Sequence, residues 1–563
     1  MRAWFNRISS YALTNLSQKD LGKFLSKKVL TIILLTSGVK KLKPKFDSLA
    51  VHSTKKAEII RTIQQLVPPG STTPEDPTVL ATLQILTAEL IQAYMAEGKL
   101  QADPFADVHE RRIHLYEAEI RKLLQGKVVL VTGGEGYVGT HLVNKLVELG
   151  ASRVVSVDKA RCSNCLELKP IGKQKASVTL YAADVRNYDA LTHIFAVEKP
   201  DIVFHLAAQR LPWLAEIQIR ETVTTGIFGT QNIIQLCESY RVQQCIFSST
   251  GKASRYFTTE VYAASKKFCE WLFAQAASKG KVTYGMVRFT HILENSSFCK
   301  QIDDNIQQNR IVNVHAPARY VTAQNVSEAV HLLLNAIVLS QPGSLRFITV
   351  RNLGWPTETL EVALYKIFQS GKQLPIYFQG LIPGYEEHFF LGHIDWSKPT
   401  EINPLANVLE PLFIDDYADM FIGEMAPFSP QPLAKYLAVL QTLTDVALLP
   451  EIQIKQCLGK AVGEVASSIF SQASPQTLLK ILKWGVNLKY LSAEGISIHV
   501  YRDILELLVQ GLYGRLNKEI LSNAQMTLNT FDELIEILGN LSSISEEIAY
   551  LQAVSQNIRE LKE

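Results

Sequence analysis

Apolar and polar residues alternate along the middle of the chain in a pattern that predicts short strands followed by helices. The apolar, β-branched run at 128–131 predicts a buried parallel strand. Apolar residues then recur at helical spacing between 141 and 149, and Gly150 ends that helix. A second apolar run, 153–157, finishes on Asp158. Strand, helix and strand in this order predict the start of a doubly wound sheet.

The same alternation continues to about Phe289. It predicts further strands and helices at 179–182, 201–206, 221–239, 245–248, 261–278 and 283–287. We therefore expect an α/β fold, a Rossmann-like doubly wound parallel sheet. Beyond Phe289 the pattern becomes irregular, which indicates a smaller substrate lobe.

The two ends of the chain show mainly helical patterns. Helices are expected near 78–97 and 104–124, and almost continuously after residue 432. Because 563 residues are too many for one core, we expect three regions. They are a helical region at 1–126 with a proline-rich linker at 67–77, the dinucleotide fold with its lobe at 127–426, and a helical domain at 433–563.

Charge is unevenly distributed, although the net charge is only +3. Residues 1–46 hold ten Lys and Arg against the single acid Asp20. This region could bind an anionic membrane surface or a protein partner. Alternatively, it is a helical domain whose lysines are only solvated. The apolar segment Val29–Val39 is about half the length that spans a bilayer. We expect a cytoplasmic protein, peripheral at most, with no role in nucleic-acid binding.

The turn after the first strand contains candidate cofactor residues. Gly133, Gly136 and Gly139 recur every third residue where the helix begins. Such glycines allow the backbone to approach a pyrophosphate, and an acid at the next strand end, here Asp158, accepts the ribose hydroxyls. This predicts NAD as the cofactor, with NADP left open because Lys159 and Arg161 lie close to Asp158.

No metal site is predicted. Cys162 and Cys165 form one C-x-x-C, but no second Cys or His pair accompanies it. The seven cysteines have no regular framework spacing, which favours a reducing compartment.

A second set of candidate residues follows the strand at 245–248. Thr250 ends this strand, and Tyr262 and Lys266 are four residues apart, so they share one helix face. A lysine ammonium favours the phenolate form of a nearby tyrosine, which could then exchange a proton near neutral pH. Thr250 could hydrogen-bond the same reacting oxygen. We predict that these three residues are catalytic.

Residues 126–408 resemble the extended short-chain dehydrogenase/reductases, and among them the nucleotide-sugar epimerases and dehydratases of polysaccharide biosynthesis. The shared stretches are VLVTGGEGYVG, DVR from Asp184, KPDIVFHLAA, GTQNI, YAASK, VRF, RYVT and EAV. The resemblance implies a nucleotide-sugar substrate, a homo-oligomer, and cofactor contacts from Tyr137, Val138, Asp184, Val185, Ala207 and Lys266 in addition to the glycines and Asp158. Lys252 and Arg319 are the candidate substrate-binding residues. Arg319 either binds the diphosphate of the sugar nucleotide or is an exposed structural arginine.

The chain departs from that family where dehydration would occur. Dehydratases of the family carry an Asp-Lys pair after the threonine, and the Asp is the acid; this chain has Gly251-Lys252. An epimerase needs no such acid, so we expect an epimerase-type enzyme. Glu260 could replace the missing acid, but we expect it to be an ordinary acid in the first turn of a helix. A non-catalytic, cofactor-binding scaffold is the remaining alternative.

Overall fold

The structure is a computed structural model that describes residues 43–159, 177–398 and 401–560. Segment 29–39, Cys162, Cys165 and most of the basic region at 1–46 lie outside these residues. The described residues form two compact units. One comprises the described part of Met1–Arg112 together with Thr290–Val326 and Leu353–Ile382, and the other comprises Ile113–Phe289, Ser327–Asn352 and Pro383–Glu563.

The apolar runs of the second unit form a nine-stranded sheet. Its strands are β1 (Val128–Thr132), β2 (Arg153–Asp158), β3 (Ser177–Ala182), β4 (Ile202–His205), β5 (Gln244–Thr250), β6 (Thr283–Phe289), β7 (Arg346–Val350), β8 (Leu412–Ile414) and β9 (Met420–Glu424). They are ordered β8-β9-β7-β6-β5-β4-β1-β2-β3. Strands β1 to β7 pair in parallel, whereas β9 pairs antiparallel with β7 and β8. The predicted α/β fold class is confirmed.

The sheet order reverses at β1, which has β2 on one side and β4 on the other. The carboxyl ends of β1, β2 and β4 therefore lie together at one edge, with that of β5 next to β4. In doubly wound sheets such a switch point creates the crevice that binds a ligand.

Helices precede β1 and connect the strands of the sheet. They are Glu117–Leu124, Tyr137–Glu148, Tyr188–Glu198, Pro212–Ile217, Ile219–Val223, Gly229–Ser239, Val261–Ala277 and Val326–Leu339. A π-helical turn, Thr224–Phe228, joins two of them, so the predicted helix at 221–239 contains one wider turn.

The C-terminal region is helical, as expected. Its helices are Pro430–Asp445, Glu451–Gln472, Pro475–Gly485, Leu488–Glu494, Arg502–Leu512, Lys518–Asn523, Leu528–Leu538 and Ser545–Glu560. The first two share a core with the Tyr262 helix (Val261–Ala277), since Leu440 and Val462 belong to the same buried cluster as Phe268 and Trp271. The compact units thus group residues differently from the three predicted regions, whose division into domains stays a prediction.

The other unit combines the N-terminal helices Lys43–Leu66, Pro77–Ala96 and Ala106–Glu110 with Ser297–Gln307 and Thr359–Gln369. Three two-stranded pairs accompany them: His291–Ile292 with Ala323–Gln324, Tyr320–Val321 with Thr357–Glu358, and Val312–Val314 with Ile376–Phe378. Ile63, Leu90 and Tyr94 are fully buried with Phe378 in its core.

The single helix predicted at 104–124 is wrong. Ala106–Glu110 and Glu117–Leu124 are separate helices. Asn325 donates hydrogen bonds of 2.8 and 2.9 Å to the carbonyl oxygens of Val108 and Arg111, which a continuous helix would use internally. Side chains distant in sequence therefore break the helix.

Pro77–Ala96 is the one helix within 43–159, 177–398 and 401–560 whose length and composition would allow it to cross a membrane. Only 28% of its most apolar window is buried, although Leu83, Leu90 and Tyr94 pack in the core. Core helices pass the same test of length and composition.

Candidate active site

The glycine turn after β1 is so tightly packed that side chains are excluded at two positions. Gly133 has a φ of +71°, and a Cβ there would lie 2.8 Å from the Ala207 nitrogen. A Cβ on Gly139 would lie 2.1 Å from the Gly133 oxygen. Gly136 caps the helix that begins with Tyr137 and Val138. This cradle fits the phosphate-binding role predicted for these residues, because bare backbone N–H groups at a helix start can bind anions.

The other predicted cofactor residues surround this turn. Asp158 ends β2, and its Oδ2 accepts a hydrogen bond of 3.2 Å from the Glu135 backbone. Asp184 follows β3. The next residue, Val185, is buried and packs closely on Gly229, because a Cβ added to Gly229 would lie 2.6 Å from Val185 Cγ2. The structure therefore brings the predicted dinucleotide-binding residues to one edge of the sheet.

Thr250, Tyr262 and Lys266 lie where β5 meets the Tyr262 helix. The Lys252 N–H donates to Thr250 Oγ1 at 3.3 Å, which leaves the Thr250 hydroxyl free to donate to the Tyr262 oxygen. The Lys266 ammonium donates to the Ser248 carbonyl oxygen at 2.7 Å and lies 4.5 Å from the centre of the Phe247 ring.

The protonation of these groups follows from burial. Burial raises the pKa of Tyr262, and the hydrogen bond from Thr250 offsets this only in part. Burial also lowers the pKa of Lys266 to about 8. We expected Lys266 to lower the pKa of Tyr262, but burial raises it. The Lys266 ammonium is directed at the Ser248 carbonyl oxygen.

Gly251 has a structural reason to lack a side chain. A Cβ at this position would lie 2.2 Å from Leu405 Cδ2. Leu405 is itself buried, and its backbone is held by Asn403 and by Arg288, whose hydrogen bonds measure 2.9 and 3.0 Å. Leu405 thus occupies the space that the acid of a dehydratase would need.

Glu260 is not the ordinary helix acid that we expected. It caps the Tyr262 helix without a side-chain cap bond, and only 4% of it is exposed. Its Oε2 accepts hydrogen bonds from Lys252 Nζ at 2.6 Å and from Arg255 Nη1 at 2.9 Å. A buried carboxylate needs such partners, so two cations draw Glu260 inward.

Residues 383–388, which we did not predict, complete this cluster. Lys252 Nζ also donates to the Gly384 carbonyl oxygen at 2.5 Å and lies 4.7 Å from the centre of the Tyr385 ring. Glu387 pairs with Arg255 and accepts a hydrogen bond of 2.6 Å from Thr258 Oγ1. The charged, aromatic sequence PGYEEH was the only available signal.

Tyr385 belongs to the electrostatic environment of the predicted catalytic tyrosine. Burial raises its pKa to about 12, and Tyr262 and Glu260 add to the effect. The backbone before it turns sharply, since Gly384 has a φ of +82° and a Cβ there would lie 2.7 Å from Pro212. Pro212 begins the helix Pro212–Ile217, and the start of this helix thus packs against the segment that carries Tyr385.

Arg319 is placed in the other compact unit, directly before the strand Tyr320–Val321. Its backbone carbonyl accepts a hydrogen bond of 2.8 Å from Thr359. Its predicted role in substrate binding therefore stays a prediction.

Comparison with known proteins matches residues 129–394 to a family described as polysaccharide biosynthesis protein. A relative in Methanocaldococcus jannaschii, "Uncharacterized membrane protein MJ1061", is 30% identical over 234 residues, which are 40% of this chain and 68% of that protein. The chain belongs to this family. The family predicted from the sequence motifs is thus confirmed.

Two further relatives carry more specific names. "Probable polysaccharide biosynthesis protein EpsC" of Bacillus subtilis is 26% identical over 310 residues, 53% of this chain and 51% of that protein. UDP-glucose 4-epimerase of Rickettsia bellii is 25% identical over 261 residues, 44% of this chain and 73% of the epimerase. The chain spans about half the length of EpsC, so what either relative does is a property of that relative.

Proposed function

We propose that this protein is an NAD-dependent, epimerase-type enzyme that modifies a nucleotide-activated sugar in polysaccharide biosynthesis. The observation that carries the proposal is position 251, where Leu405 leaves no space for an acid beside Thr250 at the end of β5 and Tyr262 at the start of its helix. In this proposal the site keeps Thr250 and Tyr262, which exchange a proton with a sugar hydroxyl. It lacks the acid at position 251 that would expel a hydroxyl group as water.

The residues have separate roles in this proposal. Thr250 orients a sugar hydroxyl, and Tyr262 takes its proton at the phenol oxygen. Lys266, one helical turn away, would stabilise the phenolate. Proton transfer requires this stabilisation, because burial raises the pKa of Tyr262. A nicotinamide bound along the glycine turn would supply hydride transfer. Returning the hydride to the opposite face of the sugar would give an epimer.

The cofactor is proposed to be NAD, bound through Gly133, Gly136, Gly139 and Asp158. A carboxylate at the end of β2 accepts both ribose hydroxyls and repels a 2′-phosphate. The Glu135 N–H bond to Asp158 Oδ2 keeps this carboxylate beside the glycine turn.

Dehydration through Glu260 is the competing reaction, and its charge state argues against it. Burial raises the pKa of Glu260, but Arg255 and Lys252 outweigh burial and hold the pKa below the usual range. Glu260 is therefore ionised at neutral pH and has no proton to give. A non-catalytic scaffold has no use for Thr250, Tyr262 and Lys266 held together at the end of β5.

A panel experiment tests the proposal. Purified protein is incubated with NAD and one nucleotide sugar in each reaction. The panel comprises UDP-, GDP-, CDP- and dTDP-hexoses and their N-acetyl forms, and NMR identifies the products. We expect a C4 epimer from one sugar and no 4-keto-6-deoxy product. Cofactor binding without any product from the panel would favour the scaffold, and a 4-keto-6-deoxy product would show a dehydratase.

A further inference from the structure

Four charged side chains form a cluster beside the carboxyl end of β2. Glu221 accepts a hydrogen bond of 2.5 Å from the Lys159 ammonium and also pairs with Arg186. Arg186 is bound by Asp184 as well, through Nε at 3.0 Å and Nη2 at 2.6 Å. Asp158, the proposed ribose acid, directly precedes Lys159. In the part of the chain that the structure describes, Lys159 and Arg186 are therefore both bound to carboxylates at this end of the site.

One helical run builds this arrangement. Glu221 lies in its first turns, and Gly229 packs closely on Val185 farther along. Asn232 of the same run donates hydrogen bonds of 3.0 and 3.3 Å to the carbonyl oxygens of Val185 and Arg186. The run thus fixes the backbone that carries Arg186 and, at the same time, supplies the acid that binds it.

The charges of the cluster affect which dinucleotide can bind. NADP carries a 2′-phosphate on the ribose that Asp158 is proposed to bind, and a nearby cation is needed to accommodate it. Lys159 is the neighbour of Asp158 and half exposed, so its ammonium could reach that phosphate. Glu221 binds this ammonium and adds a negative charge of its own.

We propose that Glu221 determines the cofactor selectivity of this protein by holding Lys159 and Arg186 away from a 2′-phosphate, so that NAD is favoured over NADP. The inference rests on the proposed function, because it requires a dinucleotide at the glycine turn. It adds a second acid to Asp158. Glu221 neutralises Lys159 and Arg186, which would otherwise weaken the preference for NAD over NADP.

The ionised state of the cluster agrees with this role. Burial raises the pKa of Glu221, but the hydrogen bond and charge of Lys159, together with Arg186, hold it below the usual range. The side chains of Lys159, Arg186 and Glu221 are 51%, 37% and 30% exposed. Exposed ion pairs contribute little to stability. Removing the charge of Glu221 should therefore change selectivity without unfolding the protein.

The test is calorimetric titration of the full chain with NAD⁺ and with NADP⁺ at low salt, which needs no turnover. Wild type should bind NAD⁺ more tightly. Glu221→Gln should bind NADP⁺ at least about tenfold more tightly than wild type, the usual effect of one hydrogen bond to a charged group. Its affinity for NAD⁺ should stay within about twofold, and the gain should shrink at high salt because the ion pair is exposed.

Two further variants assign the effect. In Glu221→Gln combined with Lys159→Gln the gain for NADP⁺ should disappear, because the released lysine is gone and Arg186 is still held by Asp184. Glu464→Gln is the matched control, since Glu464 binds Lys435 at 2.9 Å in another exposed pair on the C-terminal helices. It should leave both affinities unchanged.

The remaining titration results separate a failure of the proposed function from a failure of the role of Glu221. If wild type binds neither dinucleotide, the proposed function fails and this inference fails with it. If wild type prefers NAD⁺ but Glu221→Gln keeps the same ratio, only the role of Glu221 fails. A gain that persists in the double variant would also overturn the inference, because repulsion by Glu221, and not its hold on Lys159, would then explain the preference.

Discussion

The Lys252 ammonium lies 2.6 Å from the Glu260 carboxylate, and this pair links the loop after β5 to the start of the Tyr262 helix. Arg255 binds the same carboxylate oxygen at 2.9 Å. Glu260 is almost fully buried, whereas the side chains of Lys252 and Arg255 keep 22% and 28% of their surface exposed. One carboxylate is thus the common acceptor for both cations beside the predicted catalytic residues.

Glu260→Gln should destabilise the protein by about 3 kcal/mol at pH 7, the lower end for a broken buried pair because both cations reach solvent. The folded-state pKa of Glu260 is depressed, so its stabilisation is complete above the unfolded value of about 4.3. It is lost as the pH falls through the folded-state pKa. Urea unfolding from pH 7 to pH 3 should show the two proteins converging at acid pH.

The exposed pair Lys435–Glu464 provides the control for this measurement. Glu464→Gln should leave the free energy of unfolding at pH 7 nearly unchanged, as is usual for exposed pairs. If Glu260→Gln were as stable as wild type at pH 7, the cluster would not depend on this carboxylate.

Tyr262→Phe should reduce sugar conversion by orders of magnitude while leaving NAD affinity nearly unchanged. Removal of a positioned acid or base usually costs about 10²- to 10⁴-fold in turnover. The phenol hydroxyl is the group that Thr250 contacts, and the phenyl ring keeps the buried packing. Turnover and NAD titration are measured on the same preparation, with the sugar that the panel identifies. Normal turnover by the Phe variant would refute the catalytic assignment.

Gly133→Ala should lose dinucleotide binding and most of its folding stability. The residue has a φ of +71°, and the added Cβ would lie 2.8 Å from the Ala207 nitrogen. Gly126→Ala is a matched control, because Gly126 has a φ of +73° but nothing within 4 Å of a Cβ. The control should cost about 1 kcal/mol from backbone strain alone and still bind NAD. Calorimetric titration and thermal unfolding measure both effects, and equal behaviour of the two variants would contradict the close approach.

The sequence predicted the parts of the site that short-range patterns encode. The apolar run before Gly133, the acid at the end of β2 and the four-residue spacing of Tyr262 and Lys266 lie within single strand–helix units. Strand and helix periodicity therefore located them, and the fold brought their elements together as expected.

Contacts between segments distant in sequence could not be predicted. Gly384 and Glu387 lie 132 residues from Lys252 and Arg255, their partners in the cluster, and no periodicity links them. The burial of Glu260 follows from these contacts, so its position near a helix start was misleading. The core shared by Phe268 and Val462 was hidden for the same reason, since helical patterns show which face is apolar but not what covers it.

The basic N-terminal region should make the protein bind anionic membranes. Ten Lys and Arg at 1–46 could each contribute up to about 1 kcal/mol near an anionic surface, and salt should weaken the attraction. Flotation with vesicles containing anionic lipid, at low and high salt, measures this. A variant lacking residues 1–42 and neutral vesicles are the controls. Failure of the full chain to float at low salt would leave the lysines as a solvated surface.

Gly251→Asp, which restores the residue type of a dehydratase, should destabilise the protein without producing a dehydratase. The Cβ would lie 2.2 Å from Leu405 Cδ2, and overpacking of this kind costs about 1–3 kcal/mol. The Leu405 backbone is held by Arg288, so only its side chain can move away.

Leu405→Ala provides the space and tests this explanation. Alone it should cost about 2–5 kcal/mol, as usual for a buried leucine. Combined with Gly251→Asp it should cost less than the sum of the two single changes, because the clash disappears. NMR of products from a UDP-N-acetylhexosamine should show no 4-keto-6-deoxy sugar from wild type. Dehydration by wild type that is lost in Glu260→Gln would show instead that Glu260 supplies the acid. In the unfolding measurements, additive costs in the double variant would show that Leu405 does not exclude a side chain at position 251.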